Sequence, residues 1–264
     1  MKRIILITIL SIIFLIPYYW MIVISLEPDS KGTNPVFHLI PQRMTFDNYI
    51  FLFVKVKNFY KWVFNSLFIS ICDVFLTCFS ASLAAYIIVR KIPFVDKIFM
   101  IMLVSMAIPG NILLLPRYIL MKDLNLINTY ISMYIMIGAG GVFLIKQVIQ
   151  TIPTSLIEAA KIDGASEWQI YGKVIIPLIK PSLICLGLFT FIGTYNNYFW
   201  QLLMISTPNM KTLPLVVASF AGEDDPKMQL TMAAAVVASL PLLILFFIFH
   251  KHFIKGIRVG SVKG

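Results

Sequence analysis

Charge is scarce in this chain, and acid is scarcer than base. Only 13% of the 264 residues are charged, 12 of them acidic and 22 basic, while 59% are hydrophobic. A soluble domain cannot hide so much apolar surface, so the shortage of charge excludes an aqueous fold and makes the bilayer the solvent. Backbone groups in a bilayer need internal partners, and apolar runs of spanning length point to helices rather than a barrel. The excess of base, formally +10, would suggest nucleic acid in a soluble protein. In a membrane protein it marks Lys and Arg anchoring the cytoplasmic ends of spans.

Other absences remove whole classes of chemistry. The three cysteines, Cys72, Cys78 and Cys185, lie inside apolar segments without metal-ligand spacing and read as buried, inert thiols. The three histidines, His38, His250 and His252, do not cluster with carboxylates. No G-x-x-x-x-G-K-[ST] occurs, so the chain has no phosphate cradle of its own. Gly138-x-Gly140 sits in an apolar run with no strand before it, which argues against a nucleotide fingerprint. No nucleophile–base pair stands out, and no metal site is expected. A membrane-embedded enzyme therefore lacks its parts, and energy must come from a partner. No clean internal repeat is visible, although inverted repeats are common in carriers.

What is present is a series of apolar spans. Met1-Lys2-Arg3 precedes a run from Ile4 to Leu26 that is too long for a cleaved signal and lacks a small-residue cleavage site. It reads as a retained first span with a cytoplasmic N-terminus, and Pro17 is a candidate kink. A polar loop covers 27–61. The second span is expected over 66–89 and the third over about 98–115, interrupted at Pro109-Gly110. That interruption is a hinge, a lining for a polar pathway or an early helix end. A turn at 125–129 leads to a fourth span over 130–145, where Gly138, Gly140 and Gly141 permit close helix contact. A fifth covers about 183–205 and a sixth about 230–249, followed by a basic tail from His250 to Gly264. About six spans return the tail to the side of the N-terminus. Thirteen of the 22 Lys and Arg then fall on the cytoplasmic side and nine outside, which favours that orientation.

Between the fourth and fifth spans lies the most informative stretch, Pro153 to Pro181, reading PTSLIEAAKIDGASEWQIYGKVIIPLIKP. Ser155 with Glu158 is a capping box that predicts a helix from Leu156. Asp163-Gly164 ends that helix, because glycine takes the left-handed conformation of a helix C-terminus. Ser166 with Gln169 is a second capping box, predicting a helix that Pro177 stops. The expected result is two short helices with an elbow at Gly164. Small Ala159 and Ala160 let another surface approach, and Glu158 offers it a carboxylate. The plainer alternative is an amphipathic re-entrant loop.

Glu158-Ala159-Ala160, three residues, Gly164, nine residues and Val174-Ile175-Ile176-Pro177 resemble the EAA loop of ABC importer permeases. Val174 and Ile176 stand where that pattern has Ile and Leu. Asp163-Gly164-Ala165-Ser166 is similar to the carbohydrate-uptake, maltose-type branch. Further similarities run in family order: Asn65-Ser66-Leu67, Leu83-Ala84-Ala85-Tyr86, Ile108-Pro109, Leu126 to Tyr130, Lys211-Thr212-Leu213-Pro214, Met232-Ala233-Ala234 and Gly260 to Gly264. The resemblance covers about 62–264. It implies an all-α polytopic protein with a MetI-like permease core over 62–264, after an N-terminal span and outer loop over 1–61.

The resemblance also implies partners and roles. A second, related permease, two ATP-binding subunits and an extracytoplasmic solute-binding protein would complete a sugar importer in a bacterial cytoplasmic membrane, with ATP and Mg on the ATP-binding subunits and no cofactor on this chain. Glu158, Ala159, Ala160, Asp163, Gly164, Ala165 and Ser166 would couple to the ATPase, as would Lys263 and Gly264 of the tail. The loop at Ala221, Gly222, Glu223 and Asp224 would meet the solute-binding protein; the bland reading is a solvated acidic turn.

Two intramembrane features stay open. Tyr195, Asn196, Asn197, Tyr198 and Trp200 suit a sugar, since aromatic faces pack on its rings and amides meet its hydroxyls. The same amides equally suit bonds across helices, and the family's acid and Trp-Pro at this point are missing. Asp73 is the one carboxylate well inside a span, where burying a charge costs roughly 2.5 kcal/mol or more. It is a hydrogen-bonded staple to a neighbouring helix, an acid near the outer interface, or the coupling site of an ion-driven carrier.

Overall fold

A computed structural model describes residues 2–28, 40, 43–90, 92, 94–134, 138–222 and 227–261, with Lys2 and 251–261 by backbone alone. No strand occurs among the described residues. The elements, in order, are α1 (Lys2–Ser25), then α2 (Asp47–Ile50) running into a π-helical turn at Phe51–Lys55, and α3 (Phe59–Val89). They continue with α4 (Val95–Ser105), a 3-10 turn at Gly110–Leu113, α5 (Leu114–Asp123), α6 (Ile131–Tyr134), α7 (Ala139–Ile149) and α8 (Thr154–Ile162). Then come α9 (Glu167–Gln169), a second π-helical turn at Ile170–Ile175, α10 (Ile176–Tyr195), α11 (Tyr198–Met204), a 3-10 turn at Pro208–Met210, α12 (Leu213–Ala221) and α13 (Met228–Ser261).

Among the described residues four helices are long and apolar enough to cross a membrane: Arg3–Ser25, Phe59–Val89, Glu167–Tyr195 and Met228–His250. A fifth forms if Val95–Ser105 and Gly110–Asp123, bent by 98°, are one broken span. The bend falls where the sequence places it. Pro109 takes an extended ψ of 127° and offers no N–H to continue the helix. The expected span over 130–145 is divided between α6 and α7, with 135–137 outside the described residues. α7 alone has 11 residues, about 16 Å of helix against a hydrocarbon core of about 30 Å.

Two spans differ in their bounds from the sequence reading. The second span begins at Phe59 rather than Ser66, because nothing between Lys61 and Ser66 breaks a helix and its first turns cover an apolar core. The fifth span is the continuous Glu167–Tyr195, and it ends at Asn196 instead of running to Ile205. Asn197 Oδ1 accepts the Trp200 N–H at 3.2 Å and starts α11 as a separate helix.

The chain divides into two compact units, Met1–Ser66 with Ser206–Ile244, and Leu67–Ile205 with Leu245–Gly264. In the first, Val23, Ile24, Leu52, Phe59, Leu213, Val216, Ala233 and Ala234 are buried. Polar ties close this unit. Asn48 Nδ2 donates to the carbonyls of Ser25 and Glu27 at 2.9 and 2.7 Å. Asn65 Nδ2 donates to those of Asn209 and Lys211, both at 3.0 Å, and Trp62 Nε1 donates to that of Pro208 at 2.6 Å.

In the second unit, Ala81, Ala85, Tyr86 and Ile88 of α3 pack with Phe99 of α4, Val142, Ile145 and Ile149 of α7, and Ile175, Ile179 and Leu186 of the fifth span. Small residues permit the approach. A Cβ added at Gly141 would lie 3.3 Å from Leu186 and 3.4 Å from Ala81, and one at Gly187 3.2 Å from Val74. Of the three glycines expected to allow close contact, Gly141 lies closest to its neighbours, Gly140 has Met106 at 3.6 Å, and Gly138 has nothing within 4 Å. Phe14 and Phe64 in the first unit, and Phe75 and Phe79 in the second, are exposed, side chains that require lipid or another subunit.

Candidate functional site

The elbow forms, but not by the first route the sequence offers. α8 starts at Thr154 after Pro153, and no side chain caps it, so the Ser155–Glu158 box is not made. Proline's fixed φ, here −57° with ψ at 130°, sets the helix entry instead. The C-terminus closes as a Schellman motif. Ala165 N–H donates to the Ala160 carbonyl at 2.9 Å and Gly164 N–H to that of Lys161 at 3.0 Å. Gly164 has φ +77°, as this closure requires. The Ser166–Gln169 capping box is complete, with Gln169 N–H donating to Ser166 Oγ at 3.3 Å and Ser166 N–H to Gln169 Oε1 at 2.8 Å.

Pro177 does not stop the second limb. The π-helical turn Ile170–Ile175 shifts the hydrogen-bond register just before it, so Pro177 enters α10 at its first turn, where its missing N–H costs nothing. The elbow thus joins a short helix to the start of a membrane span. On α8 the buried Ile157 points into the core. Glu158, Ala159, Asp163, Gly164 and Ser166 are exposed, whereas Ala160 and Ala165 are half-buried against that core. The outer surface of the elbow is also apolar, with Ile162 86% exposed, Trp168 69% and Leu156 46%.

A junction that the sequence reading did not single out fastens the second limb. Tyr86 donates its hydroxyl to Glu167 Oε2 at 2.5 Å, and Arg90 pairs with the other carboxylate oxygen, to which Lys161 Nζ approaches at 3.5 Å. The Arg90 guanidinium lies 5.6 Å from the centre of the Tyr86 ring. The Tyr86 and Tyr171 rings are 5.5 Å apart, and Tyr171 is hydrogen-bonded to Ser82 at 2.8 Å. In the sequence Glu167 reads only as an acid favoured at a helix start. The available signal was that Arg90, at the end of the second span, and Glu167, in the stretch between the fourth and fifth, are both expected on the cytoplasmic side of the membrane.

The polar-aromatic set separates by burial. Tyr195 and Trp200 are 2% exposed; the Tyr195 ring stacks on Phe191 at 5.5 Å and Trp200 Nε1 donates to the Ser132 carbonyl at 2.8 Å. Asn197 is spent on capping α11. Asn196 is exposed and Tyr198 half-buried. Asp73 accepts the Thr194 hydroxyl from α10 and the Thr77 hydroxyl at 3.4 Å. Gln201 Nε2 donates to the Thr194 carbonyl at 3.0 Å. Asp73 therefore staples α3 to the end of α10. Among the described residues no group of His, Cys, Asp and Glu has the proximity to hold a metal.

The stretch after the fifth span is not a plain loop, since α12 occupies Leu213–Ala221 and ends at Gly222. Glu223 and Asp224 lie outside the described residues, as do Lys263 and Gly264 of the tail. Helix α13 runs on through Ser261, so the tail is helical that far.

Residues 77–259 match the family described as binding-protein-dependent transport system inner membrane component. The chain is 31% identical to the arabinooligosaccharides transport system permease protein AraQ of Bacillus subtilis (strain 168), over 97% of this chain and 92% of that protein. It is 29% identical to the lactose transport system permease protein LacG of Rhizobium radiobacter, over 94% and 90%. Its fold is similar to that of a chain in the crystal structure of a bacterial ABC transporter involved in the import of the acidic polysaccharide alginate. There the TM-score is 0.81 at 21% identity, covering 96% of this chain and 95% of that one. The chain belongs to the binding-protein-dependent transport system inner membrane component family, and is a membrane-spanning permease subunit of an ABC importer whose ATPase is a separate subunit.

Proposed function

We propose that this permease forms half of the pathway for a sugar or oligosaccharide and takes its driving force through the elbow at Gly164. The observation that carries the coupling role is the exposed outer face of that elbow, with Leu156, Ile162 and Trp168 around Glu158 and Ala159. An apolar patch with a carboxylate at a membrane protein's aqueous end suits a cleft on a soluble subunit. The substrate class rests on the relatives, which are named as permeases for arabinooligosaccharides, lactose and melibiose, raffinose or stachyose.

On this reading a second related permease completes the pathway, two ATP-binding subunits carry ATP and Mg, and an extracytoplasmic solute-binding protein delivers the sugar. Both termini lie in the cytoplasm of a bacterium, the side to which the lysine-rich span ends are assigned. ATP binding closes the ATPase pair, α8 moves with it, and the spans change from inward-facing to outward-facing. The segment around Ala221 and Gly222, continuing to Glu223 and Asp224, meets the solute-binding protein. Asn196 and Tyr198 line the pathway, with Tyr195, Asn197 and Trp200 shaping the helix break behind them. The tail at Lys263 and Gly264 reaches the ATPase.

The test is purification of the tagged chain in mild detergent, followed by ATPase assays with candidate sugars and a solute-binding protein. Recovery with an ATP-binding subunit and a second permease, and ATP hydrolysis stimulated by one sugar, is the expected result. A chain that purifies alone and moves solute on an ion gradient contradicts it.

A further inference from the structure

The Schellman turn at Gly164 joins α8 to the fifth span by a short backbone elbow, which packs on the core through Ile157, Ala160 and Ala165. One carboxylate adds a directional brace to that packing. Glu167 receives Tyr86 and Arg90 from the end of α3 and Lys161 from α8, while its own backbone opens the fifth span. The junction therefore gathers three elements: the short helix, the start of one span and the end of another. Behind it Tyr86 and Tyr171 are buried and packed together, and Tyr171 is tied to Ser82 one turn earlier in α3. The Glu167 side chain is 55% exposed and that of Arg90 19%. A pair this open to water adds little to stability, but its fixed, charge-assisted geometry sets direction.

We propose that Glu167 is a positioning residue that delivers motion of α8 to α3, making the elbow and the two spans move as one body. Without the brace, only non-directional apolar packing would link α8 to α3, and part of the motion would be lost. The proposal rests on the reading of the elbow as the ATPase-docking surface. It adds to that reading where the force goes next.

The test uses the whole importer reconstituted in proteoliposomes, with uptake and ATP hydrolysis measured in the same vesicles. Glu167→Gln and Arg90→Glu should each lower solute moved per ATP about fivefold or more, with the ATPase subunit recovered at the wild-type level. The reversed pair, Arg90→Glu with Glu167→Arg, should regain much of the loss. An unchanged ratio in Glu167→Gln overturns the proposal, as does a reversed pair no better than Arg90→Glu alone. Loss of the ATPase subunit from these variants also overturns it, because Glu167 would then be a docking residue. Failure of the docking reading itself has a different signature: Ile162→Asp would leave the complex intact.

Discussion

Thr194 of α10 donates its hydroxyl to Asp73 of α3, and Thr77 donates to the other oxygen of the same carboxylate at 3.4 Å. The intramembrane acid is thus engaged by a neighbouring helix and by its own. An ion-coupled carrier working through Asp73 finds no support in this arrangement, since among the described residues no second acid or histidine joins it, and the ATPase of such an importer is a separate subunit.

A first prediction follows for Asp73. Asp73→Asn keeps an oxygen for Thr194 and removes only an ionisable proton that this account does not use, so ATP-driven uptake should stay within about twofold of wild type. Asp73→Ala leaves the Thr194 hydroxyl without this acceptor and should destabilise by about 1–3 kcal/mol, read as a lower melting temperature in detergent. Abolished uptake in Asp73→Asn, with the protein still folded, would revive the ion-coupled reading.

The second concerns Gly164. Nothing lies within 4 Å of a Cβ built there, so space is not the constraint; φ +77° is. Gly164→Ala should cost about 1–2 kcal/mol through the left-handed conformation alone, and Gly164→Asn less. Gly164→Val should be the worst, because a β-branched residue tolerates positive φ poorly. The ranking is measured by thermal unfolding, and uptake should fall in the same order.

The third lies in the first unit. Ser66 Oγ accepts the N–H of the fully buried Leu213 at 2.8 Å, and Asn65 Nδ2 donates to the Lys211 carbonyl at 3.0 Å. Ser66→Ala should destabilise by about 1–3 kcal/mol by leaving a buried donor unpaired, whereas Ser66→Thr should be nearly neutral. Equal melting temperatures for all three forms would remove this tie from the account.

The fourth separates pathway from packing at the helix break. Trp200→Ala should lower stability by about 3–5 kcal/mol, because it empties a buried site. Tyr198→Ala should leave stability within about 1 kcal/mol, as a half-buried side chain does, while raising the apparent KM for uptake. The opposite pattern would move the substrate contact from Tyr198 to Trp200.

Features set by local backbone chemistry were legible in the sequence. Gly164, the Ser166–Gln169 box, the break at Pro109 and the all-helical membrane class each follow from one or two residues and a bilayer-length rule. Where two local signals competed, the tertiary structure decided. Ser155 and Glu158 spell a capping box, yet Pro153 two residues earlier sets the start of the helix. Pro177 spells a stop, yet a π-helical turn upstream absorbs it. The pairing of Asn65 and Ser66 with Lys211 and Leu213, nearly 150 positions later, was invisible for a different reason. Both motifs resembled the family, but nothing in their spacing says that they touch. Glu167 was hidden in the same way, since Arg90 and Tyr86 lie 77 and 81 residues upstream, at the end of α3.

The central claim is that the face of the elbow around Ile162 docks an ATPase subunit and passes its motion inward. Ile162 is 86% exposed, and burying such a side chain contributes about 1.5–3 kcal/mol, or roughly tenfold to hundredfold in affinity. The most direct measurement is ATP hydrolysis stimulated by sugar and solute-binding protein in the reconstituted importer, compared between wild type and Ile162→Asp. The account predicts that Ile162→Asp inserts into the membrane and pairs with the second permease, but loses the ATPase subunit and its stimulated hydrolysis together. Wild-type association and stimulation in Ile162→Asp would contradict it.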